Sequence, residues 1–334
     1  MTLVELMVTI AIIAILASIV LLGISGATEQ AKLRRTQAQI AKLHELVMEK
    51  WRSYETRRVP MKGIERGERL PRNAVAAKRL LALREMMRLE MPERITDLTV
   101  INSGANEPEH LRTFPSLYYS YMARVKSTWT DQYQGAECLY LIISQITVDD
   151  STALRYFNDS EIGDRDGDGM PEILDAWGTP IEFLRWAPGF ISPLQTPNAI
   201  NDAQLANLPL PQGPAGQVTT LIPYISQTTD PFDVMHVDEP SGTRNPHVLV
   251  PLVMSAGPDK VFNIDVARRS NEAPFTYFRR SMGVFQLPGS NDPYVQLPDT
   301  DTDTDTNPNQ IGQVLDTRED GHIDNIYNHF LEAR

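Results

Sequence analysis

Thr2-Leu3-Val4-Glu5-Leu6-Met7-Val8-Thr9-Ile10-Ala11-Ile12-Ile13-Ala14-Ile15-Leu16-Ala17 opens the chain with one charged side chain, Glu5. Residues 1–26 hold 19 apolar residues and no second charge. From Leu6 to Ser25 run 20 uncharged residues, about 30 Å of helix, which matches the core of a bilayer. Residues 1–26 are therefore expected to cross a membrane. A secretory signal is the wrong class, because its start is basic and this one reads Met1-Thr2-Leu3-Val4-Glu5.

The same helix is expected to continue. No proline occurs before Pro60, and the residues after the apolar run are strong helix formers. Leu33, Ile40, Leu43, Val47, Trp51 and Tyr54 recur at helical spacing and mark one apolar face. This predicts one helix from about residue 1 to 58, an apolar half over 1–26 and an amphipathic stem over 27–58. Gly23 and Gly26 are its weak points, each costing about 1 kcal/mol relative to Ala.

The remainder, 59–334, is expected to form a globular head. Helices are predicted over 73–90, between Pro71 and Pro92, and over 136–146. Cys138 lies in the apolar stripe of the latter and reads as a core thiol. Beyond residue 176, Ile181–Leu184, Val218–Ile222, Val248–Met254 and Phe275–Phe278 read as short strands. Six prolines between 188 and 216 mark a long loop, and 299–306 are Asp-Thr pairs, an acidic low-complexity loop. The fold class is α+β: a long N-terminal helix, then helices packed on a small antiparallel sheet with long loops.

The net charge of −12 over 334 residues is unevenly placed. The segment 27–94 carries 17 basic against 9 acidic residues, and 95–334 carries 14 against 33. A basic collar thus joins an apolar rod to an acidic head. The acidity excludes nucleic-acid binding by bulk charge. The single cysteine excludes an internal disulfide and any Cys-rich zinc module.

The clearest ligand pattern is Asp164-Arg165-Asp166-Gly167-Asp168-Gly169-Met170-Pro171-Glu172-Ile173-Leu174-Asp175. Alternating acids direct carboxylates to one centre, Gly169 permits a sharp turn, Met170 offers its carbonyl, and Glu172 and Asp175 complete the shell. Hard oxygen donors at this density select Ca2+. Pro171 forbids the usual helical exit, so the chemistry is EF-like outside a true EF-hand.

The opening residues resemble the mature start of the type IV pilin and type II secretion pseudopilin family. An acid at the head of an apolar run is rare and expensive, which makes the match specific. That family usually starts with Phe where Met1 stands here, and the chain reads as its leader-processed form. The resemblance implies that Glu5 pairs with the α-amino group of Met1 on a neighbouring subunit. In the head, Asp175-Ala176-Trp177-Gly178-Thr179-Pro180 and Ser255-Ala256-Gly257-Pro258-Asp259 resemble two signatures of major pseudopilins. A second calcium site is implied at Asp259, Asp265, Asp320 and Asp324.

The family implies a structural subunit of a pilus-like or pseudopilus-like filament. Its implied partners are copies of itself, a prepilin peptidase, and an inner-membrane assembly platform with its ATPase. It implies a single-pass inner-membrane precursor with the head in the periplasm, and a periplasmic or extracellular filament after assembly. The alternatives are a membrane-tethered, calcium-dependent binding or adhesion module, or a minor tip pseudopilin. The histidines show no His-x-x-x-His spacing, and no nucleophile elbow or phosphate loop occurs. The chain therefore reads as a non-enzyme.

Overall fold

The computed structural model describes residues 3–62, 71–99, 108–190, 192, 194–195, 230–235, 237, 248–262, 264, 312 and 324–331, with only the backbone at 19–23 and 25. Helix α1 spans Leu3–Thr56, 54 residues and about 80 Å at 1.5 Å per residue. It is followed by α2 (Arg72–Glu90), α3 (Ile95–Thr99), α4 (Ser116–Met122) and α5 (Gln134–Gln145). The strands are β1 (Thr147–Val148), β2 (Ser151–Thr152), β3 (Ile162–Gly163), β4 (Glu172–Ile173), β5 (Glu182–Leu184), β6 (Leu252–Ser255) and β7 (Ile326–Tyr327). The class is α+β, with antiparallel pairs β1–β2 and β3–β4 and a three-stranded sheet ordered β5-β6-β7.

The two halves of α1 have different surroundings. From Thr36 onward its apolar face enters the core: Ile40, Leu43, Val47, Trp51 and Tyr54 are buried, and Leu33 packs on the edge of the same cluster. From Leu3 to Ser18 every side chain is exposed. Among the described residues no helix is long and apolar enough to cross a membrane. This corrects the expected span over 1–26, and with it the single-pass inner-membrane placement and the membrane tether of the alternative reading. The charges of Glu29, Lys32, Arg34 and Arg35 then follow on the same helix.

The β5-β6-β7 sheet has a core on each face because side chains alternate along strands. Phe183, Val253 and Ile326 point into the main core, which contains the inner face of α1 and most of α5. Leu184, Leu252, Met254 and Tyr327 point the other way, into a second cluster with Ala187, Phe190 and Ile264. The pairing Phe183↔Val253 and Leu184↔Leu252 keeps each face in register. Helix α5 packs on β4 and β5 and is buried almost all round, Cys138 included.

Helix α2 is pinned to α1 through Glu90. Its Oε2 accepts from Lys50 Nζ at 2.7 Å, Tyr54 Oη at 2.9 Å and Arg57 Nη1 at 2.5 Å, while Oε1 takes Arg57 Nη2 at 2.6 Å. Further along, Glu85 accepts the backbone N–H groups of Glu109, His110 and Leu111 at 2.8–2.9 Å. Arg185, fully buried, donates to the carboxylate of Asp97 at 2.9 Å and the carbonyl of Met91 at 2.8 Å. These charges stay inside because each has hydrogen-bonded counter-charge or backbone partners.

The expected strands at 218–222 and 275–278, and the Asp-Thr loop 299–306, lie outside the described residues, as does most of 188–216. The short helices α3 and α4 have no counterpart in the sequence reading.

Candidate metal centre and assembly helix

The acidic loop 164–175 lies between β3 and the turn into β5, facing the segment that leads into α5. Gly167 (φ 78°) and Gly169 (φ 91°) take the left-handed conformation that lets the loop double back. Asp164 closes the turn, with Oδ1 accepting from Gly167 N at 2.8 Å and Oδ2 from Gly169 N at 3.0 Å. Asp168 Oδ1 accepts from Met170 N at 2.8 Å. The side chain of Met170 is buried in the main core and anchors the loop. Glu172, also buried, receives Arg165 N at 3.1 Å.

A second segment braces this loop from outside. Thr130 N donates to Asp168 Oδ2 at 2.6 Å, Thr130 Oγ1 donates to Asp166 Oδ2 at 2.8 Å, and Thr128 Oγ1 donates to the Asp168 carbonyl. The next turn carries Glu137, in the first turn of α5.

Among the described residues, two groups of three carboxylates bring ligand oxygens within 4.8 Å of one another. One is Asp164, Asp166 and Glu172; the other is Glu137, Asp166 and Asp168. Either set supplies hard oxygen donors of the kind that hold Ca2+. Burial raises Glu172 to about 7, and raises Glu137 to about 9 with the nearby Asp168, Asp166 and Glu172 charges adding to it.

Sequence reasoning placed Asp164, Asp166, Asp168, Met170, Glu172 and Asp175 in one shell. The structure brings together Asp164, Asp166 and Glu172 in one group, and places Asp168 in a second group with Asp166 and Glu137, which no loop pattern contains. Asp175 is in neither group and has other partners. Its Oδ1 accepts from Trp177 N and Thr179 N, both at 2.9 Å, and its Oδ2 accepts from Ser255 Oγ at 2.6 Å. Burial raises its pKa, against the lowering effect of these same hydrogen bonds.

This gives the two head signatures a shared structural role. Asp175 shapes the turn over Trp177-Gly178, where Gly178 is left-handed (φ 78°). Trp177 Nε1 donates to Glu29 Oε2 on α1 at 2.8 Å, and Ala176 N donates to Thr36 Oγ1 at 3.2 Å. Gln39 Nε2 donates to the Leu174 carbonyl at 2.8 Å. The segment leaving the acidic loop is thus clasped along the stem. The second of these segments packs against the residues just before β7: a Cβ at Gly257 would stand 2.6 Å from the Asp324 carbonyl oxygen.

Of the second implied calcium set, Asp259 and Asp324 are adjacent, with Asp259 N donating to Asp324 Oδ2 at 3.4 Å. Asp265 and Asp320 lie outside the described residues, as does Met1. Glu5 is exposed in the first turn of α1.

The chain matches no family model, no curated protein and no solved structure.

Proposed function

We propose that this chain is the structural subunit of a helical filament of the type IV pilin or pseudopilin kind, joined through the N-terminal halves of its α1 helices. One observation carries the reading. Ten large apolar side chains between Leu3 and Leu16 are 50–76 % exposed, and at 100° per residue they surround the helix axis. A helix that is apolar all round is a helix to be buried. Fully burying one such side chain is worth about 1.5–3 kcal/mol, so ten represent roughly 15–30 kcal/mol per subunit before association entropy is subtracted.

Copies of the same helix supply that cover from every side. Among the described residues the head holds α1 from Glu29 onward, and the exposed side chains of 3–18 are available to a bundle. Contacts that repeat without closing a ring generate an open helical polymer. Glu5, inside that bundle, pairs with the terminal amine of Met1 from a neighbour, because an unpaired carboxylate there costs several kcal/mol. The resemblance adds a prepilin peptidase and an assembly platform with its ATPase as partners. Calcium at the acidic loop stiffens the head where it is clasped to the stem.

Sedimentation of Glu5→Ala tests the registry role. The variant is expected to stay in the supernatant while its head gives an unchanged circular dichroism spectrum. Polymer at the normal yield would remove Glu5 from the assembly contact.

A further inference from the structure

The loop pattern, taken alone, puts every cation ligand between residues 164 and 175. One buried carboxylate outside that span, Glu137, has an oxygen with no hydrogen-bond partner among the described residues. Glu137 is 0 % exposed, and its Oε1 is buried without a hydrogen-bond partner. Its other oxygen, Oε2, accepts the indole N–H of Trp129. A buried carboxylate oxygen left unpaired is costly, and native structures rarely keep one without a ligand to receive it.

Its surroundings identify the ligand. Glu137, Asp166 and Asp168 each present an oxygen within 4.8 Å of the other two. Oxygens on opposite sides of a calcium ion are about twice the 2.3–2.6 Å Ca–O bond apart, so all three can touch one ion. No basic side chain donates to any of these three carboxylates among the described hydrogen bonds. Three carboxylates converging in a largely buried setting call for a cation.

We propose that Glu137, Asp166 and Asp168 together hold one divalent cation of the calcium class, so that the ion ties the acidic loop to α5 instead of closing a shell within the loop. This rests on the reading of 164–175 as a calcium loop, and it changes the ligand set. Glu137 enters as the buried anchor, while Asp175 serves the Ser255 contact. Because α5 also packs on β4 and β5, the ion joins the loop that clasps the stem to the centre of the head.

Calcium chloride titrated calorimetrically into the full chain tests this. The wild-type chain is expected to bind, and Glu137→Gln, which keeps the shape and the Trp129 acceptor, is expected to lose roughly tenfold or more in affinity. Asp164→Asn should change affinity much less. If Glu137→Gln binds as tightly as wild type while Asp166→Asn does not bind, the loop is a calcium site and Glu137 is not its ligand. Absence of binding by the wild-type chain overturns both readings. Terbium offers a check that does not need the Gln variant to fold. Excited through indole, the wild-type complex should emit because Trp129 touches Glu137, and Trp129→Phe should lose most of that emission. Equal emission from Trp129→Phe places the ion elsewhere and overturns the assignment.

Discussion

His329 shows how a single buried residue ties stability to pH. Its Nδ1 is 2.8 Å from Ser192 Oγ and its Nε2 3.1 Å from the Pro251 carbonyl. The carbonyl can only accept, so Nε2 carries the proton and the Ser192 hydroxyl donates to Nδ1. Burial, with the nearby His44 adding to it, lowers the pKa to about 3. The unfolded residue takes a proton near pH 6.5 and the folded one refuses it, so stability is lost as pH falls below about 6.5. At pH 5 the loss amounts to about 2 kcal/mol. Urea unfolding at pH 7 and pH 5 should show it, and His329→Gln should remove that part of the difference. Asp175→Ala removes three hydrogen bonds to a buried carboxylate and should cost roughly 2–4 kcal/mol in urea unfolding, with calcium affinity unchanged. A large fall in affinity would return Asp175 to the metal shell. The alternation of acids makes Asp164, Asp166 and Asp168 legible from sequence. Glu137 is not, because only tertiary packing brings α5 over the loop. The one local sign is an acid set between Ala136 and Cys138 in a helix with no exposed face, where a charge must find a partner.

At the scale of elements, α1 is two helices in physical terms. Its second half is readable because one apolar stripe repeats at helical spacing, and all but Leu33 of the six stripe residues are buried. Its first half has no stripe, since a uniformly apolar helix names no face and does not distinguish lipid from protein as its cover. The two halves should respond differently to a charge. Ile13→Asp adds a carboxylate where the side chain is 65 % exposed, so the isolated subunit should keep its stability within about 0.5 kcal/mol. Polymer yield, read by sedimentation, should collapse. Helix α2 depends instead on a polar contact. Glu90→Ala leaves Tyr54 Oη, Lys50 and Arg57 without their acceptor and should cost roughly 3–5 kcal/mol, measured by thermal or urea unfolding. The spacing of Val75, Leu80, Leu83, Met86 and Met87 marks an apolar side of α2, all of it buried except the half-buried Val75. It gives no sign that Arg84, Glu85 and Glu90 are buried as well, because their partners lie on distant segments. The short α3 and α4 contain too few residues to establish a periodicity.

At the scale of the molecule, the net charge of −12 resolves into a rod, a basic collar and an acidic head. Part of the collar is answered within the chain: Arg35 meets Glu161 at 2.9 Å, and Lys50 and Arg57 meet Glu90. The head is held to the stem by its core and by the clasp of residues 174–177, directly after the acidic loop. Ion binding at the loop should therefore stabilise the head as a whole. At a calcium concentration a hundredfold above the dissociation constant the gain is about 2.7 kcal/mol, several degrees in Tm for a domain of this size. Chelator should lower Tm by that amount, and Asp166→Ala should abolish the difference. An unchanged Tm would count against a bound ion. Electron microscopy of the native protein is the most direct test of assembly through the exposed half of α1. Long filaments of one repeating subunit with the heads outward are expected. Dispersed single particles, under conditions where the head is folded, would contradict it.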